Sequence, residues 1–226
     1  MEQKTRVLCI SASPRKEGSR SEELLKKLIK RVWQYGGLVE EIRLAERKIQ
    51  PCQGCYSEKP KKCTFPCIHE DDTNEILKAI IRADALAVST PIYWGGPSSL
   101  LRILIEKMTA LENNCDKIVI NEHKEPLEGK PFVIVSSQDC EGASLALSQT
   151  AWAFCQLGLM LLPYGLIFEP ILLKRPIVRF GLRLINERKF EWIENTIRLA
   201  ARSLVLLPQE LKSYTYDDYL VREPKN

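Results

Sequence analysis

An open, doubly wound parallel α/β sheet is the fold this chain predicts, and three observations predict it. Short apolar runs recur along the sequence and end in loops rich in Ser, Pro or Gly. Stretches with apolar residues at helical spacing separate them. The length of 226 residues, with 45% apolar and 27% charged residues, supports one substantial core with insertions.

The first run, Arg6 to Ser11, reads as a buried parallel strand. Ser21 to Trp33 follows as a helix, with Leu24, Leu25, Leu28, Ile29 and Val32 on one face and Gly36-Gly37 as its stop. Leu38 to Leu44 is the second strand. A cysteine-rich segment intervenes before Asp71 or Asp72 caps a helix reaching about Arg82. Ala85 to Thr90 is the third strand, ended by Pro91. A helix from about Pro97 to Leu111 carries Leu100, Leu101, Leu104, Ile105 and Met108 on one face. Phe132 to Ser137 is the fourth strand, Ala143 to Leu157 a helix, and Leu159 to Phe168 contains the fifth strand. Glu187 to Leu206 closes the pattern as a long amphipathic helix. Five strands alternating with helices match a flavodoxin-like sheet in size. The main domain is expected over 1–207, with a cysteine-rich loop at 48–70 inserted after the second strand and a C-terminal tail at 208–226. Residues 170–186 fall outside the alternation and read as an oligomer contact or a lid.

The net charge is +4, and Lys26, Lys27, Lys30 and Arg31 fall on the polar face of the first helix, a solvated face rather than a nucleic-acid site. No apolar run reaches membrane-spanning length, and polar residues 1–6 lead straight into a strand. The expectation is a cytoplasmic protein with no membrane and no nucleic-acid partner.

In an open parallel sheet, ligands bind beyond the carboxyl ends of the strands. The first such loop, Ser11 to Ser21, holds four hydroxyls and two arginines before a helix N-terminus. Ser13, Ser19 and Ser21 can donate to phosphate oxygens, and Arg15 or Arg20 can add a charge-assisted pair. A plain serine cap would account for Ser19 or Ser21 alone. The G-x-x-x-x-G-K-[ST] and G-x-G-x-x-G patterns are missing, which argues against a nucleoside triphosphatase and a dinucleotide-type site. The exit of the third strand, Pro91-Ile92-Tyr93-Trp94-Gly95, offers a flat ring both an apolar wall and close backbone approach. Taken alone it could be a Pro/Gly turn; beside a phosphate loop it suggests a phosphorylated planar cofactor.

Four of the eight cysteines, Cys52, Cys55, Cys63 and Cys67, follow the spacing C-x2-C-x7-C-x3-C. Thiols this dense in a chain without signs of secretion suggest a soft-metal site before disulfides. Iron–sulfur, zinc and an unliganded set are all chemically open on spacing alone. Cys9 and Cys155 read as core thiols, while Cys115 and Cys140 receive no role. His69 is read as a residue near the helix start and not as a ligand.

The segments I-S-A-S-P-R-K-E-G-S-R-S (10–21) and S-T-P-I-Y-W-G-G-P-S-S-L-L-R (89–102) together resemble the two flavin mononucleotide loops of the NADPH-dependent FMN reductase family, over roughly residues 5 to 168. The resemblance implies strand order 2-1-3-4-5. It also implies that Ser11, Ser13, Arg15, Ser19, Arg20 and Ser21 serve the FMN phosphate and that Pro91 to Gly95 line the isoalloxazine. Ser136, Ser137, Glu141 and Gly142 would lie along its other side. Where the family often has glycine before the S-P-R triplet, this chain has Ala12.

Within that family, Pro51-Cys-Gln-Gly-Cys55 and Cys67-Ile-His-Glu-Asp-Asp72 resemble the ends of the cysteine motif of the iron–sulfur flavoprotein branch. There the motif holds a [4Fe–4S] cluster, which places this reading ahead of zinc and of an unliganded set. The chain departs from that motif at Glu58, where a cysteine is expected, with Cys63 five positions later. The implied protein is an FMN-dependent oxidoreductase that passes electrons from ferredoxin or NAD(P)H to an acceptor through FMN and the cluster, as a homodimer or homotetramer. No side chain is assigned as catalytic, because the chemistry belongs to the cofactors. A cluster-free NAD(P)H-dependent FMN or quinone reductase, and a non-enzymatic electron carrier or redox sensor, are the alternatives.

Overall fold

Six strands and six α-helices are described in the structure, a computed structural model that covers residues 4–58, 62–112, 126–138, 142–170 and 183–211. In chain order they are β1 (Arg6–Ser11), α1 (Arg20–Gln34), β2 (Leu38–Arg43), α2 (Cys55–Glu58), α3 (Thr73–Arg82), β3 (Ala85–Tyr93), β4 (Gly96–Pro97), α4 (Ser99–Glu112), β5 (Pro131–Gln138), α5 (Ala143–Gln156), β6 (Met160–Pro170) and α6 (Arg183–Leu211). Five strands pair in parallel in the order β2-β1-β3-β5-β6. This is the expected flavodoxin-like order once the two-residue β4 is set aside. That strand pairs antiparallel with the end of β3 to make a tight hairpin.

The central strands β1, β3 and β5 are apolar almost throughout because both faces of the sheet are covered there, whereas the edge strand β2 is largely exposed. Side chains alternate between the faces. Leu8, Ile10, Leu86, Val88, Phe132 and Ile134 pack against α3, α4 and α5 on one side. Val7, Cys9, Ala85, Ala87, Val133 and Val135 pack against α1 and α6 on the other. Phe132 and Phe154 add an edge-to-face ring pair with centroids 5.2 Å apart. Burial of Cys9, with some help from Glu41, pushes its thiol well above the ordinary range, as expected of a core thiol. Cys155 differs from expectation: it lies on the outer face of α5 and is exposed.

The closing helix is longer than the sequence suggests at both ends. It begins at Arg183 and continues through Pro208 to Leu211, beyond the expected domain boundary at 207. Within it, Ile193, Ile197, Ala200, Ala201, Leu204 and Val205 supply most of the second core, so burial holds the helix past the point where a proline would end an isolated one. Residues 171–182 and 212–226, with Cys115 and Cys140, lie outside the described residues. No described helix is long and apolar enough to cross a membrane.

Candidate functional site

The loop after β1 is held at three points. The Ala12 amide donates to Ser89 O at 2.8 Å, fixing the loop to β3. The Ser98 hydroxyl donates to Ala12 O at 2.6 Å, and the Ser98 amide donates to the Thr90 hydroxyl at 2.9 Å. Ala12 is fully buried in this clasp. Arg43, the last residue of β2, donates to Lys16 O at 2.7 Å and Arg15 O at 3.4 Å, and pairs with the buried Glu22 at 3.2 Å. Sequence reasoning missed Arg43. Its only sequence signal is its place opposite Ser11 in the β1–β2 register.

Within the loop, Ser19 caps α1 by accepting from the Glu22 amide at 3.4 Å, and its hydroxyl lies 3.2 Å from that of Ser21. The Ser13 hydroxyl accepts from the Arg15 amide at 3.3 Å. Ser13, Ser19 and Ser21 are all buried around a helix start, and Arg20 is half-buried while Arg15 is exposed. Hydroxyls and free amides at the positive end of a helix form a donor set suited to a phosphate. Ser11 is separated from the group, since its hydroxyl donates to the Glu22 carboxylate at 3.5 Å.

The exit of β3 forms a hairpin whose two-residue turn, Trp94-Gly95, has φ of 52° and 72°. Glycine accommodates this without strain, while tryptophan does not. Pro91 and Ile92 are half-buried, Tyr93 is exposed, and the Trp94 ring projects wholly into solvent, making no wall within the chain. Gly142, with φ of 107°, opens α5 directly against this turn: a Cβ there would lie 3.0 Å from Gly95 Cα. Two glycines thus bring two backbones into contact where the planar ring is expected. Ser136 and Ser137 are buried beside them at the end of β5, the Ser136 hydroxyl donating to Thr90 O at 2.6 Å. Glu141 lies outside the described residues.

The cysteine-rich insertion is stapled at its base. Asp72 accepts from the Lys48 amide and Asp71 from the Gln50 amide, both at 2.7 Å. Asp71 also accepts from the Thr73 amide at 2.9 Å. The aspartates therefore tie the two ends of the insertion together, and Asp72, although at the cap position, makes no side-chain cap bond. Burial acts to raise the Asp71 pKa. Interactions with the Thr73 side chain, the Gln50 and Thr73 amides and Lys107 outweigh it and hold the carboxyl below its ordinary value. Asn74, also missed from sequence, grips Cys67 twice: its Oδ1 accepts from Cys67 N at 2.7 Å and its Nδ2 donates to Cys67 O at 2.9 Å.

Cys52, Cys55, Cys63 and Cys67 are all half-buried and line one small pocket between the insertion and α4. The displacement from position 58 to 63 therefore does not take the third thiol out of the group. The Gly54 amide donates to Cys52 Sγ at 3.4 Å. His69 is buried at the pocket with its Nε2 unpartnered. Four thiols are the donor set a four-iron cluster takes. Among the described residues, no three His, Cys, Asp or Glu side chains converge closely enough to hold a single metal ion.

Comparison with known proteins agrees with this architecture. The chain is 36% identical over 107 residues to an iron-sulfur flavoprotein of Methanocaldococcus jannaschii, covering 47% of this chain and 53% of that protein. It is 28% identical over 99 residues to an iron-sulfur flavoprotein of Archaeoglobus fulgidus, covering 44% and 43%. The chain thus spans about half the length of the curated relatives it matches. Among solved structures, RosB with bound 8-demethyl-8-formylriboflavin-5'-phosphate superposes with a TM-score of 0.69 at 18% identity, covering 94% of this chain and 82% of RosB, a likeness of fold. The sequence profile of NADPH-dependent FMN reductases matches residues 5–168. The chain belongs to the NADPH-dependent FMN reductase family.

Proposed function

We propose that this protein is an FMN-dependent oxidoreductase that takes electrons from ferredoxin or a reduced nicotinamide and passes them to an acceptor through FMN and a [4Fe–4S] cluster. FMN exchanges electrons in pairs or singly and the cluster singly, so together they supply two-to-one-electron conversion. The chain's own residues bind and orient. Ser13, Ser19, Ser21 and the start of α1 take the phosphate, with Arg15 and Arg20 at hand. The backbones of Pro91 to Gly95 and Gly142 approach the ring, and Cys52, Cys55, Cys63 and Cys67 hold the cluster.

The observation that carries this reading is the single pocket lined by all four cysteines. Its far wall is α4, whose N-terminus is bound to the loop after β1 through Ser98. From Ser99 to Lys107 the helix rises about 12 Å at ~1.5 Å per residue, so one rigid element spans the two sites. A homodimer or homotetramer, as the family resemblance implies, would add a second route between flavin and cluster.

A flavin reductase without an iron–sulfur cluster, its cysteines binding zinc or nothing, is the second reading; the lack of a converged single-ion site among the described residues favours its metal-free form. Anaerobic purification separates the two. The first reading expects FMN together with iron and acid-labile sulfide, about four of each per chain. Flavin with zinc or with no metal supports the second, and a protein that takes up no FMN contradicts both.

A further inference from the structure

Lys107 lies in the middle of α4 and is only 2% exposed. A buried ammonium is costly unless it is paired and hydrogen-bonded. Here the nearest carboxylate oxygen, Asp71 Oδ2, is 3.7 Å away, too far for a hydrogen bond, and Nζ has no hydrogen-bond partner. That same oxygen of Asp71 already accepts from the Gln50 amide, and Oδ1 accepts from Thr73. Lys107 lines the pocket of the four cysteines. A buried lysine whose ammonium has no hydrogen-bond partner, lining the same pocket as four thiols, fits a pocket occupied by an anion.

We propose that Lys107 is the charge-compensating residue of the cysteine-bound cluster, directing its ammonium at the anionic thiolate–sulfide surface and raising the cluster's reduction potential. The inference rests on the iron–sulfur reading above. Four thiolates give the oxidised cubane a net charge of about −2, and one added electron makes it about −3. A fixed cation beside it stabilises the more negative state more strongly, so reduction becomes easier. Asp71, 3.7 Å from the ammonium, tempers this effect. Lys107 is thus a positioning and electrostatic residue. It is neither a ligand nor a proton donor.

The test uses the full chain carrying FMN, purified without oxygen, with Lys107→Met and Asp71→Asn beside the parent. Iron and sulfide are measured first. The cluster potential is then read by titration with a low-potential one-electron reductant, each equivalent adding one electron to the cluster. Lys107→Met, nearly isosteric but uncharged, is expected to disfavour reduction at least about tenfold, a downward shift of ~59 mV for one electron. Asp71→Asn is expected to move the potential upward, because it leaves the lysine charge uncompensated. Opposite shifts separate an electrostatic role from simple disturbance of the loop, which would move both the same way. Should Lys107→Met not fold, Asp71→Asn alone decides, and an unchanged or lowered potential overturns the proposal. Iron and sulfide present with an unchanged potential in Lys107→Met overturn it while leaving the cluster reading intact. A parent protein without iron overturns both.

Discussion

Replacing Asn74 by alanine removes both hydrogen bonds that fix the Cys67 backbone, from Cys67 N at 2.7 Å and to Cys67 O at 2.9 Å. A protein hydrogen bond contributes about 0.5–1.5 kcal/mol net, which gives about 1–3 kcal/mol for the pair. Both groups are part-buried, so water replaces some of the loss, and alanine returns up to ~0.7 kcal/mol in helix propensity within α3. The remainder, about 1 kcal/mol, corresponds to roughly fivefold easier opening of the segment around Cys67. Amide hydrogen exchange on the metal-free protein reads this directly: protection of the Cys67 amide should fall about fivefold, while that of β1 and β3 stays unchanged. In the loaded protein, iron should be lost faster to a chelator with FMN content unaffected. Asn74→Asp, which keeps the acceptor and loses the donor, should fall between the two. Unchanged Cys67 protection in Asn74→Ala would refute the assignment of Asn74 as the anchor of the fourth thiol.

Other predictions address the flavin side and the base of the insertion. Gly142→Ala places a Cβ 3.0 Å from Gly95 Cα at a φ of 107°, and should cost about 1–3 kcal/mol in urea unfolding. FMN affinity should fall at least about tenfold in a fluorescence titration. Arg43→Met frees the carbonyls of Arg15 and Lys16 and leaves Glu22 with Lys26 as its remaining cation, at 3.0 Å. It should weaken FMN binding roughly tenfold through loss of about 1–2 kcal/mol of loop order, since Arg43 is itself partly exposed. The Asp71 carboxyl, held below its ordinary 3.8, contributes stability that is present above that pH and is lost as pH falls through its lower folded value. Acid unfolding below about pH 4 should therefore be shallower in Asp71→Asn than in the parent.

Much of this architecture is legible in the sequence because period and burial carry it. The apolar runs at Arg6, Ala85 and Phe132 are buried on both faces, and the helices between them show their faces through leucine and isoleucine spacing. The cysteines are visible as a group in the sequence, although only the folded insertion shows Cys63 lining the same pocket as Cys52, Cys55 and Cys67. What the sequence hides are relations between distant segments. Arg43 reaches a loop formed by residues 15 and 16, Asn74 turns back to Cys67, and Lys107 meets Asp71 across the insertion. Each carries an ordinary surface composition signal, and a lysine at one position of an amphipathic helix gives no hint that it is buried. The aspartates illustrate the same limit: local rules make them caps, whereas bonds to Lys48 and Gln50 give them a different task. Pro208 shows burial overriding a local stop signal.

The central claim, that flavin and cluster serve one chain together, is tested most directly by counting electrons. An anaerobic reductive titration of the purified protein, followed by optical absorption, should take up about three electrons per chain, two into FMN and one into the cluster, with the broad thiolate-to-iron band near ~400 nm bleaching alongside the flavin. Uptake of only about two electrons, with flavin bleaching alone, would contradict it.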